Sequence, residues 1–246
     1  MNTTLPGASA IPASPCREKA DIRTVPVWDL PTRAFHWLMA LSFVGAYLSS
    51  ESERFRDVHV MFGYTLAALI GFRLVWGLIG TRYARFSSFL FSPGRLVEYL
   101  KSLVGGNPQH HVGHNPAGAL AIFLLLGLGL ATVVSGFATY QEIGGEWLEE
   151  LHEAVSGAML AVVAVHILGV VVSSVLHREN LAKAMITGRK VGTQEQGIAK
   201  RRGRVGVLLV VAVLGYWGAD RMLGSSDAQG DRGTPRVESR HHADRD

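Results

Sequence analysis

The chain has 246 residues, 48% of them apolar, and a formal net charge of +4. The apolar residues are bunched into long blocks instead of being spread as in a globular domain, which excludes an ordinary soluble fold. The positive balance does not indicate nucleic acid, because the cations lie in the segments between blocks and alternate from side to side.

The first residues, MNTTLPGASAIPASPC, hold no apolar core after a basic start, so no cleaved signal peptide is expected. Residues 1–33 read as a segment on one side of a membrane, and the first apolar block follows at Ala34–Ser50. Further blocks lie at Val58–Gly80, Pro116–Tyr140 and Leu151–Leu176. A helix rises ~1.5 Å per residue, so blocks of this length cover roughly the 30 Å hydrocarbon layer. The fold class expected is all-α, an integral membrane four-helix bundle over residues 34–190.

Between the second and third blocks, Ser92 is placed to cap a helix with Pro93 in its first turn. Leu96, Val97, Leu100, Leu103 and Val104 follow at helical spacing, opposite Arg95, Glu98 and Lys101. That is a short amphipathic helix, lying on the inner membrane surface or docked on the bundle. After a basic linker at 191–204 comes a fifth apolar run, Val205–Ala219, flanked by Arg204 and Arg221. Its 15 residues rise about 22 Å as a helix. It is a candidate fifth transmembrane helix at the C-terminus, the alternative being a helix at the interface or packed on the bundle. Residues 220–246 are polar and mixed in charge, and are expected to be disordered.

Charge sets the orientation. Arg17, Lys19, Arg23 and Arg33 precede the first block, and Arg82, Arg85, Arg95 and Lys101 occupy the 81–115 connection. Arg178, Lys183, Arg189, Lys190, Arg201, Arg202 and Arg204 follow the fourth block. The 141–150 segment has no Lys or Arg but carries Glu142, Glu146, Glu149 and Glu150. By the positive-inside rule the N-terminus, the 81–115 connection and the 177–204 segment face the cytoplasm.

The histidines sort by depth. His36 lies at the inner end of the first block, His59 at the outer end of the second and His152 at the outer end of the fourth. His166, 14 residues beyond His152, shares its face but lies ~21 Å deeper. His59 with His152, and His36 with His166, therefore make two layers, one near each surface. Ionisable side chains are costly inside a membrane and usually mark a functional pathway. His110, His111, His114 and His177 lie in polar stretches or at a helix end and are expected to be interfacial or solvated. His241 and His242, in the tail, are not expected to bind metal.

Two imidazoles per layer are too few for a tetrahedral zinc site, and a copper site would need a methionine–cysteine set that is missing here. They suit the axial positions of a haem, whose porphyrin supplies the other four ligands. Cys16 is the single cysteine, so covalent attachment through C-x-x-C-H is excluded and the haem expected is non-covalent haem b. The metal ligands expected are thus His36, His59, His152 and His166. Arg73 lies 14 residues after His59, at the level of the inner pair. It is a candidate partner for a haem propionate, unless it snorkels to the headgroups. Ala40, Gly63, Ser156 and Gly169 follow the four histidines by three or four residues and would let a ring approach the backbone.

These residues carry a resemblance. VPVWDLPTRAFHW around His36, RDVHVMFGY around His59, FRLVWG around Arg73, GHNPAGAL opening the third block, and LHEAVSGAML followed by VHILGVVVSSVLHREN resemble the bacterial di-haem cytochrome b-561 family. That family is related to the b-type cytochrome subunits of nickel–iron hydrogenases. The resemblance covers about residues 25–190. It implies two b haems, ligated at the positions of His36, His59, His152 and His166, and electron transfer between a quinone pool and a redox partner at the membrane. The fifth apolar run and the tail have no counterpart in the family's minimal four-helix pattern.

The function expected is a di-haem conduit in the bacterial inner membrane, handing electrons between quinone and a periplasmic carrier such as a c-type cytochrome, which the acidic 141–150 segment would steer. The alternatives are a superoxide-oxidising enzyme passing electrons to quinone, and a membrane anchor subunit of a larger oxidoreductase.

Overall fold

The computed structural model describes residues 22–106, 109, 111–199 and 201–230. It is a helical bundle with one small cap. A four-residue strand β1 (Arg23–Pro26) leads into α1 (Leu30–Ser49). After a short 3-10 turn come α2 (Arg56–Ile79), α3 (Pro93–Val104), α4 (Pro116–Tyr140) and α5 (Glu146–Leu176). The short α6 (Leu181–Thr187), strand β2 (Arg189–Gly192) and α7 (Gly203–Gly230) complete the chain.

Four helical segments are long and apolar enough to cross a membrane. They are residues 53–79, which include α2, then α4, α5 and the first 20 residues of α7. The fifth run is thus the start of a much longer helix than Val205–Ala219, one that continues to Gly230 through residues expected to be disordered. The tail beyond 230, with His241 and His242, lies outside the described residues. Helix α1 has 20 residues but is less apolar, because Arg33 and His36 occupy its first two turns. It packs between α2 and α7, while α4 pairs with α5 and also meets α2.

Local chemistry sets the helix starts. Asp29 caps α1 by accepting from the Thr32 N–H at 2.8 Å, with Pro31 in the first turn. Asn115 caps α4 in the same way through Gly118 N, with Pro116 behind it. Ser92 has the extended backbone of a cap before α3, but its side chain makes no capping bond. Helix α3 is docked on the bundle through Tyr99, which is fully buried, while Val97 and Leu100 stay exposed. The turn between α4 and α5 uses positive φ at Glu142, Gly144 and Gly145. Helix α5 therefore begins at Glu146, and Glu146 and Glu149 lie in its first turn, where carboxylates oppose the positive end of the helix dipole.

Two apolar clusters hold the helices together. Phe43 and Ala46 of α1, Leu66 of α2 and Met159 of α5 form one, and Leu38, Leu69 and Val213 join α1, α2 and α7 in another. Trp217 of α7 adds a hydrogen bond from Nε1 to Thr65 Oγ1 at 2.9 Å and an edge contact with Phe62.

A cap closes one end. Strands β1 and β2 pair antiparallel, Arg23 opposite Gly192 and Pro26 opposite Arg189. Val25, Val27, Trp28 and Ala184 form its core. Residues 23–26 of the expected N-terminal segment are thus paired with residues 189–192, where the expected basic linker begins.

Candidate haem-binding site

The structure brings His59 and His152 together. Their ring centroids lie 6.2 Å apart with the planes at 85°. Both side chains are oriented through Nδ1. That of His59 lies 2.8 Å from the carbonyl of Ala46, one of the last carbonyls of α1, which also accepts from the Ser49 hydroxyl at 3.1 Å. That of His152 lies 3.0 Å from the Thr132 carbonyl and 3.1 Å from Ser135 Oγ on α4. A carbonyl oxygen only accepts, so Nδ1 is the donor in each contact, and in a neutral ring this leaves the lone pair on Nε2. Gly136 makes room for the His152 ring, since a Cβ there would meet Cε1 at 2.7 Å.

This is the arrangement of a metal-ligating histidine, whose second nitrogen donates to a carbonyl and fixes tautomer and ring plane. Imidazole–metal bonds of ~2.0 Å place two axial rings with their centres ~6 Å apart across the metal. The pair therefore fits two axial ligands of one iron.

Toward the other end, His36 on α1 and His166 on α5 lie within electrostatic range of each other. His36 keeps a buried Nδ1 with no hydrogen-bond partner among the described residues, and its ring meets Trp37 edge-on. Among the described residues no group of three or more His, Cys, Asp or Glu side chains converges on a metal position. The protein offers imidazoles in pairs, which suits a planar macrocycle better than a chelate of side chains.

Between the two levels lies an apolar layer. Phe43 is seven residues after His36, Leu66 seven after His59, and Met159 midway between His152 and His166. Seven residues are close to two turns, so each stays on its histidine's face. All three are buried in one cluster.

Arg73 continues the α2 face by seven more residues. It is 3% exposed, so it does not snorkel outward. Its guanidinium donates to the Ala84 carbonyl at 2.8 Å and lies over the Phe86 ring at 4.8 Å and the Phe89 ring at 6.0 Å. Nearby Asp29 does more than cap α1, since Oδ2 accepts from Trp76 Nε1 at 3.1 Å and Thr81 Oγ1 at 2.8 Å. This carboxylate ties the start of α1 to the end of α2. The Asp-x-Pro pattern of WDLP marks such a helix cap in sequence, although nothing in the pattern shows its partners on α2.

Of the other histidines, His110 lies outside the described residues. His111 stacks edge-on against Tyr99 and Phe91. His177 caps α5, its Nδ1 2.9 Å from the Ser173 carbonyl. His114 departs from expectation. It is not solvated but packed between Trp28 and Phe89, with ring centroids at 4.6 and 4.5 Å, and its Nδ1 is buried without a partner among the described residues. Burial, reinforced by the charges of Arg73 and Lys190, pushes its pKa down to about 3.

A helical membrane bundle that brings two half-buried imidazoles together, as at His59 and His152, suits a membrane haem protein. The chain belongs to the prokaryotic cytochrome b561 family, whose model matches residues 27–188. Among curated relatives it is similar to proteins named as probable Ni/Fe-hydrogenase B-type cytochrome subunits. The one from Rhizobium leguminosarum bv. viciae is 27% identical over 71% of this chain and 92% of the relative. The one from Bradyrhizobium diazoefficiens is 27% identical over 75% and 94%. That from Azotobacter chroococcum mcd 1 is 31% identical over 51% and 64%. No solved structure matches the chain. The protein is a multi-pass bacterial membrane cytochrome that uses haem b in electron transfer.

Proposed function

We propose that the chain holds two haem b groups and carries electrons across the bilayer between a quinone pool and a redox partner such as a periplasmic c-type cytochrome. His59 and His152 ligate the outer haem, and His36 and His166 the inner one. The observation that carries this reading is the His59–His152 pair, with rings 6.2 Å apart and both Nδ1 atoms committed to carbonyls. Bound haem would supply a one-electron iron couple, and two histidines holding each iron would leave it no site for oxygen or substrate. The residues do the rest. Ala46, Thr132 and Ser135 fix the ring planes and tautomers, and the Phe43–Leu66–Met159 layer keeps water from the space between the levels. Arg73, buried at the inner level, is placed to pair with a propionate of the inner haem.

The basic N-terminal, 81–115 and 177–204 segments face the cytoplasm, and the acidic start of α5 faces outward. The cytochrome names of the relatives favour a second form of the same role, in which the chain is the haem-bearing membrane subunit of a larger oxidoreductase complex.

The test is a reduced-minus-oxidised visible spectrum with haem quantitation on the purified chain. Two non-covalent b haems per chain are expected. His59→Ala and His152→Ala should each remove one haem and leave the same spectrum, and His36→Ala and His166→Ala should each remove the other. Loss of the same haem in His36→Ala and His59→Ala would overturn the pairing.

A further inference from the structure

Arg33 lies in the first turn of α1 and Arg201 just before α7, where the two helices begin side by side. The main chain of Arg201 is pinned there, its carbonyl accepting from Leu30 N at 3.3 Å. The helices touch closely at this level, since a Cβ at Gly206 would lie 2.6 Å from Leu30 Cγ. The Arg33 guanidinium rests against Gly188, donates from Nη1 to the Ile186 carbonyl, and keeps a buried Nε without a partner among the described residues. No carboxylate forms an ion pair with either arginine among the described residues, and Asp29 is occupied by Thr32, Trp76 and Thr81. Arg202 and Arg204 add two more exposed cations at the start of α7. Four arginines gathered where two packed helices begin, none of them ion-paired to a carboxylate among the described residues, favour an anion there.

The surface below these arginines identifies that anion. One turn along α1 from Arg33 is Trp37, an exposed aromatic of the kind that marks the headgroup boundary, and Leu41 and Val44 continue the exposed apolar face. On α7, Leu208 and Val211 are exposed in the same direction of travel from Arg204. Cations at the head of two packed helices, with exposed apolar side chains running away from them, match a phosphodiester with acyl chains attached. A free phosphate would use only the cations.

We propose that the α1–α7 junction is a binding site for an anionic phospholipid, its headgroup phosphate held between Arg33 and Arg201 and its acyl chains lying along the exposed faces of α1 and α7. The side chain of Arg33 also ties α1 to α6, so Arg201, whose structural contact is through its backbone, is the cleaner probe.

The full chain in nanodiscs of dioleoylphosphatidylglycerol mixed with dioleoylphosphatidylcholine is released into native mass spectrometry. The wild type is expected to retain phosphatidylglycerol in preference to phosphatidylcholine. Arg201→Gln should weaken that retention about fivefold, the effect of removing one arginine at a membrane surface. Arg33→Lys should keep the preference, and Arg95→Gln on α3 should leave it unchanged. Equal retention of the two lipids by the wild type, or undiminished phosphatidylglycerol on Arg201→Gln, would overturn the proposal. So would inorganic phosphate raising the melting temperature as far as phosphatidylglycerol does, which would assign the cations to a free anion.

Discussion

The rings of His59 and His152 stand 6.2 Å apart and almost perpendicular, each steered by a main-chain carbonyl from a helix other than its own. His59 is oriented by α1 and His152 by α4, so four helices must be in register before the two rings come together. Gly136 is the most sensitive point of that register. In Gly136→Val the new side chain would drive into the His152 ring. On the proposed ligation, the variant should fold and keep the haem at His36 and His166 but lose the one at His59 and His152, about halving the haem bound per chain, as read by quantitation of extracted haem.

Asp29 is 1% exposed and satisfies three donors on α1, α2 and the turn after α2. Asp29→Ala would strand those donors and leave buried Arg73 without its nearest counter-charge. Leaving a buried donor unpaired costs about 1–3 kcal/mol. A clear fall in melting temperature is expected, larger than for Asp29→Asn, which keeps the shape and part of the hydrogen bonding.

His114 gives the fold an acid sensitivity. The unfolded chain protonates this position near pH 6.5, whereas the folded chain resists until about 3, so between those values only the unfolded state gains the proton. The contribution is fully present above 6.5 and drains away by ~1.4 kcal/mol per pH unit as the pH falls toward 3. Melting curves at pH 7 and 5.5 should show the wild type losing stability, and His114→Phe, which keeps the packing between Trp28 and Phe89, losing less.

Five crossings by α1, α2, α4, α5 and the first part of α7 would carry the C-terminus to the side opposite the N-terminus. Alkaline phosphatase fused after Gly230 should be active in cells, and the same enzyme fused after Arg202 inactive. Activity at both positions, or at neither, would mean that α7 lies along the membrane.

Much of the bundle was readable in the sequence. The block at Pro116–Tyr140 coincides with α4, and the other three blocks fall within a few residues of α1, α2 and α5. Long apolar runs between charged loops leave a chain few alternatives in a bilayer. That His59 and His152 come close agrees with the depths read from the sequence, since each lies near the N-terminal end of its helix. The length of α7 was less accessible, because its final turns are polar and nothing in their composition separates helix from coil. The cap was not legible either. It rests on pairing residues 23–26 with 189–192, more than 160 positions apart, and no local pattern records such a contact. His114 was misread for the same reason, since its polar neighbours in sequence gave no hint of Trp28 and Phe89, which approach from distant segments.

The layer formed by Phe43, Leu66 and Met159 has a consequence for energy conversion. None of these side chains titrates, so a proton has no stepping-stone through them. An electron moving from one histidine level to the other would therefore travel uncompensated. The step would feel the membrane voltage, up to ~2.3 kcal/mol per 100 mV for a full crossing. The same three residues that pack the helices together would make the transfer electrogenic.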